Sequence, residues 1–241
     1  MISPPPTLFE PQFNPDARIE ARLLGRERQP LLLIDNALVN APAMVDYAAT
    51  LGQFARPPRG SMYPGLNAPL PPSYLPSLCR SLQGLLEEVF GFKDFSRLYC
   101  DGFFGLTTDG LEALSAMQRT PHYDSDSQSH LAMVYYLCAE PYGGTGFYRH
   151  QTSGFEFVDQ TRAQAYADLA ASEVKAKDDL PRGYVGDQTP FYDQIAAVGA
   201  VFNRLAVYRT TSLHCALLNG AETSADPRVG RLTANVFLGI P

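Results

Sequence analysis

The chain has 241 residues, 45% of them hydrophobic and 18% charged, which are globular values and exclude wholesale disorder. A net charge of −6 argues against nucleic acid or an anionic membrane surface as the main partner. No apolar run reaches the ~20 residues of a membrane span, the start has no signal-like basic and apolar segments, and four widely spaced cysteines read as reduced thiols, so a cytoplasmic location is expected.

This length suits one domain, and residues 1–241 are taken as such. Residues 1–29 begin proline-rich and weakly patterned, and read as an N-terminal arm over the surface. Residues 30–38, PLLLIDNAL, fit a buried strand and a turn. Met44, Val45, Ala48 and Leu51 then recur at helical spacing, with Pro42 in the first turn. Residues 56–76 carry seven prolines and read as a long structureless loop, either plain coil or a lid around Tyr63-Pro64-Gly65. Leu75, Leu78, Leu82, Leu85, Leu86 and Val89 restore helical spacing over residues 74–90.

From residue 96 the period becomes that of strands. SRLYCDGFFG (96–105) has β-type residues, while 111–118 fits neither period. Residues 131–138 and 145–149 read as strands joined through Gly143-Gly144, and 155–158 as another. Residues 161–177 are alanine-rich and helical, 178–188 polar and exposed, 195–208 two strands about Val198-Gly199, and 231–238 a final strand. Helices first, then short strands with a helical insertion at about 159–190, predict an α+β fold with a β-sandwich or jelly-roll core.

The most informative stretch is 121–150, which opens on His122-Tyr123-Asp124. Alternate residues of extended chain share a side, so an imidazole and a carboxylate project together. These are two thirds of a 2-His-1-carboxylate iron site, which needs one more histidine. Of the other three histidines, His214 follows a predicted strand and is the expected third ligand; His130 and His150 read as structural or surface residues. Arg231 and Thr233 lie on one face of the last strand, a guanidinium and a hydroxyl suited to a carboxylate. A plain turn capped by Asp124 is the bland reading of PHYDSD, and Asp126 is the substitute ligand if the backbone bulges.

His122-x-Asp124, His214 and Arg231-x-Thr233, in this order, resemble the 2-oxoglutarate/Fe(II)-dependent oxygenase superfamily, particularly its prolyl-hydroxylase-like branch. The strand ending in Tyr136-Leu137 and the turn Gly143-Gly144-Thr145-Gly146-Phe147 strengthen the likeness, which covers about residues 30–56 and 96–241. Asp124 and His214 stand 90 positions apart, which the insertion explains, and Arg231 follows His214 by seventeen, with Arg228 the second choice.

The resemblance implies a double-stranded β-helix with the N-terminal helices packed on one sheet. It also implies Fe(II) on His122, Asp124 and His214, and 2-oxoglutarate held by Arg231 and Thr233 with a tyrosine, Tyr136 or Tyr99. The implied reaction is oxidation of a C–H bond, hydroxylation first, in an amino acid, a peptide side chain or a small metabolite, with release of succinate and CO2. Two other classes stand beside it: a non-catalytic jelly-roll binding or scaffold protein, and a metal-dependent hydrolase using the same ligands. The sequence leaves the oligomeric state open.

Overall fold

The computed structural model describes residues 9–58, 61–115, 117–177, 190–218 and 222–240. Residues 1–8 of the expected arm and the expected loop at 178–188 lie outside these. Among the described residues, ten strands and three α-helices run in the order β1 (Arg18–Leu24), β2 (Gln29–Asp35), α1 (Ala41–Leu51), β3 (Gly65–Pro69), α2 (Tyr74–Phe90), β4 (Tyr99–Thr107), β5 (His130–Tyr136), β6 (Thr145–His150), α3 (Ala163–Lys177), β7 (Tyr192–Val198), β8 (Arg204–Arg209), β9 (His214–Ala216) and β10 (Arg231–Gly239). The fold is α+β. Its strands pair antiparallel in a seven-stranded sheet, β1-β2-β8-β5-β10-β4-β3, and a three-stranded sheet, β7-β6-β9.

The two-residue period of a strand sorts side chains into layers. Leu32 and Ile34 of β2, Met133 and Tyr135 of β5, and Leu205 and Val207 of β8 join one core with the helices. Leu31, Leu33, Ala132, Tyr136, Ala206 and Tyr208 point the other way and meet Phe147 and Val198 of the small sheet. The helices supply complementary stripes. Met44 and Ala48 are buried on α1, and Tyr74, Leu78, Leu82, Leu86 and Phe90 on α2, the four-residue repeat of a single face. Burial of each such leucine contributes about 1.5–3 kcal/mol. Gly91 ends α2 in the left-handed conformation at φ 72°, where a side chain would be strained.

Three expectations change. Residues 9–17 do lie against the body, with Phe9 buried and the Val39 N–H donating to the Gln12 carbonyl, but 18–24 form strand β1 rather than arm. An edge strand covered on neither face needs no apolar alternation, so its pattern is silent. Within the proline-rich stretch, β3 pairs with the edge of β4, Leu66 opposite Leu106, leaving Pro69 at a strand end where its missing donor costs nothing. Residues 155–158 make only a bridge, Phe157 to Ser212, and 111–118 holds two 3-10 turns, Leu111–Ala113 and Met117–Arg119.

Candidate metal centre

His122 and His214 stand directly opposite each other on adjacent antiparallel segments. The His122 N–H donates to the His214 carbonyl at 2.9 Å and the His214 N–H returns a bond to the His122 carbonyl at 2.8 Å. Their rings lie 4.7 Å apart between centroids. One residue on, Tyr123 turns away and meets Tyr166 of α3 edge-on, while the Asp124 N–H donates to Thr210 and its carboxylate returns to the histidines. The Asp124 oxygens lie 3.6 Å from His122 Nε2 and 3.5 Å from His214 Nε2. One ligand atom from each residue falls within 4.8 Å of the other two, spacing that admits a single metal ion.

The second ring nitrogens decide what the first ones offer. His214 Nδ1 lies 2.9 Å from the Ser212 carbonyl and His122 Nδ1 3.3 Å from the Thr120 carbonyl. A carbonyl only accepts, so each Nδ1 donates, and each neutral ring keeps a bare Nε2 toward the cluster. Desolvation first, and then the His214 imidazole, lower the His122 pKa, with Asp124 opposing. The His122 side chain is 45% exposed, whereas His214 is buried.

The three residues form part of the wall of a cavity of about 300 Å3 that also reaches Arg231. Arg231 is 5% exposed; its Nε donates to the Gly143 carbonyl at 3.0 Å and its Nη2 to the Gly144 carbonyl at 3.3 Å. No carboxylate among the described residues pairs with it. Hydroxyls gather on the same cavity wall: Tyr63 lies 3.3 Å from the Thr107 hydroxyl, and Thr145 lies 2.6 Å from Tyr136. Burial pushes the Tyr63 hydroxyl pKa up, against Arg231, Thr107 and Thr233, so it stays a proton donor. Burial likewise raises Tyr136, against Thr145 and Arg231, and its hydroxyl meets the cavity through Thr145.

Two glycines make room for this arrangement. A Cβ on Gly144 would lie 1.8 Å from the Val198 carbonyl oxygen, so the Gly143-Gly144 stretch is a close backbone crossing whose carbonyls hold Arg231. A Cβ on Gly105 would lie 2.4 Å from the Tyr63 ring. Tyr63, which the sequence places in a stretch read as plain coil or a lid, is thus a cavity residue that sequence reasoning did not assign to the site. No sequence signal links Tyr63 to Gly105, which lies 42 positions further on.

The remaining candidates separate. Thr233 is buried on β10, two residues from Arg231, and its hydroxyl lies 3.4 Å from the Gly105 carbonyl. Arg228 is half exposed and pairs with Asp46 of α1 at 3.2 Å, facing a different hollow from the metal cluster. Tyr99 sits opposite Gly239, at the far end of β10 from Arg231, edge-on to His130. Asp126 is not among the clustered ligands. His150 is fully buried: its Nε2 lies 3.0 Å from a Glu173 oxygen of α3, and its ring packs against Tyr166 and Tyr192. That pair ties the helical insertion to β6.

No helix among the described residues is long and apolar enough to cross a membrane. No curated protein matches the chain. A match over residues 15–238 shows that the chain belongs to DUF6445, a family of unknown function.

Proposed function

We propose that the protein is an Fe(II)- and 2-oxoglutarate-dependent dioxygenase acting on a C–H bond, with hydroxylation as its outcome, and that its two sheets are a double-stranded β-helix. The path of the chain supports the second part. It alternates from β4 in the large sheet to the His122 segment beside β9, back to β5, across to β6 and β7, then through β8, β9 and β10 in alternate sheets. Four strands of that winding, β4, β10, β5 and β8, are neighbours in the large sheet, and the His122 segment, β9, β6 and β7 are neighbours in the small one.

One observation carries the activity: two imidazole nitrogens and a carboxylate converge in a cavity that also holds a buried guanidinium with no carboxylate partner among the described residues. Zinc would accept the same three ligands. A buried cation without a counter-ion is costly, and an anionic cosubstrate would relieve that cost. A hydrolase would need such a cation only for an anionic substrate.

The donor set, two imidazole nitrogens and a carboxylate lining the cavity, fits Fe(II). Bound there, Fe(II) and 2-oxoglutarate would supply oxidation of a C–H bond by dioxygen, with succinate and CO2 as co-products. His122, Asp124 and His214 would hold the metal. Arg231 and Thr233 would take the distal carboxylate of 2-oxoglutarate, and Tyr63, held protonated, would add a hydrogen bond beside them. Phe103 and Phe237, also in the cavity wall, would keep water from the reacting bond.

The test is anaerobic titration of metal-free protein with Fe(II) and then 2-oxoglutarate. Wild type is expected to take one equivalent of each, and His122→Ala to lose the metal. Equal binding by both proteins would sink the reading.

A further inference from the structure

Resting on that reading, the uncovered part of the large sheet identifies the class of substrate. The small sheet covers this face over β2, β8 and β5. Over β10 and β4 the same face is open and carries rings among polar residues: Phe103 and Phe237 lie 6.5 Å apart, with Tyr63 edge-on to Phe103 at 5.8 Å, and the exposed Asp101 stands opposite Phe237. A second hollow of about 340 Å3 continues from the first, sharing Asp124 and Phe237 with it, and ends at Tyr99 and His130. From Phe103 to Tyr99 along β4 is four residues, roughly 13 Å at ~3.3 Å per residue. The space beyond the metal is therefore long and aromatic-floored.

Its charges are already committed. Among the described residues lining the two hollows, the charge-bearing side chains are the three ligands, Arg231 and His130. His130 Nδ1 lies 3.0 Å from the Ser125 hydroxyl and Nε2 3.4 Å from the Tyr99 hydroxyl. An anionic group on the substrate would lose its water and find no free cation, and the nearest further charge, Asp101 opposite Phe237, would repel it. The floor strands offer nothing to a peptide backbone either, since β10 is paired with β4 and β5, and β4 with β10 and β3.

We propose that the substrate is an elongated and largely apolar small molecule without negative charge. It lies along this face from the metal ligands to Tyr99 and His130, where the hydroxyl and ring nitrogen receive one polar group.

The experiment uses two fluorescent probes with the same rings, neutral N-phenyl-1-naphthylamine and its anionic counterpart 1-anilinonaphthalene-8-sulfonate. They are titrated into the full chain with excess 2-oxoglutarate; the chain has no tryptophan to obscure the reading. The neutral probe is expected to bind at least ten-fold tighter. Phe237→Asp, and independently Phe103→Asp should the first variant not fold, are expected to weaken it at least ten-fold. Equal or better binding of the anion, or a folded variant that binds the neutral probe like wild type, overturns the proposal. So does tighter binding of a capped apolar tetrapeptide. Fe(II) titration of the same wild-type protein reads the iron assignment separately, so loss of one result leaves the other standing.

Discussion

The two faces of the seven-stranded sheet are made by the same strands and do opposite work. Along β10, Leu232, Ala234, Val236 and Leu238 are buried against the helix-side core. Between them, Arg231, Thr233, Asn235 and Phe237 face the small-sheet side, and three of these four line the cavity with His122, Asp124 and His214. One face spends its residues on exclusion of water and the other on a space that admits a ligand. On the proposed function, stability and activity are thus separated by a single residue step, which makes them separable by mutation.

The largest expected effect lies on the helix side. Phe104→Ala, at a fully buried position, should cost about 3–5 kcal/mol of unfolding free energy, measured by urea denaturation. Phe103→Ala, one residue away and only half-buried, should cost less than half as much; equal losses would erase the contrast between the faces. Next, Asp124→Ala should lower Fe(II) affinity at least ~100-fold, about 2.7 kcal/mol, while the urea midpoint stays within experimental scatter. A large fall in stability would make Asp124 a structural cap instead.

A smaller effect is expected deeper in the cavity. Arg231→Lys keeps the charge and loses the planar fork, so 2-oxoglutarate affinity should fall about ten-fold with Fe(II) affinity unchanged, read by sequential anaerobic titration. Parallel losses of both would tie Arg231 to the fold rather than to a carboxylate.

The smallest effect belongs to a charge pair on the cavity side of the sheet, away from the site. Arg204 donates Nη2 to Asp35 at 2.9 Å, and hydrogen bonding from this guanidinium holds the Asp35 pKa below its ordinary value against a desolvation cost. A carboxyl depressed in the folded state contributes stability above its unfolded pKa of roughly 3.9, and loses it as the pH falls through the folded value. Asp35→Asn should therefore cost roughly 0.5–1 kcal/mol at pH 7. That difference should vanish in acid, as urea melts across pH would show. A difference that persists below pH 3 would assign the loss to packing.

Much of this arrangement is legible along the chain because it is periodic or local. The leucine stripe of α2, the alternation of β5 and β10, and the pairing of His122 with Asp124 across one residue each follow from how a helix or a strand aims its side chains. Strand β1 was illegible because an edge strand covered on neither face needs no pattern. Tyr63 was illegible for a different reason. Its place depends on Gly105 having no Cβ, a contact between two segments whose distance apart in sequence carries no signal.

The amino-acid sequence by itself determined the α+β class, the helices, most strands and the residue types that can hold a metal and a carboxylate. The tertiary structure alone decided that His214 meets His122 across a backbone bridge, that Arg231 rather than Arg228 enters the cavity, and that His150 is spent on Glu173. Local geometry repeats every two or 3.6 residues and leaves a trace in the sequence. Which distant segments pack together depends on the summed burial of many side chains, to which no single position testifies.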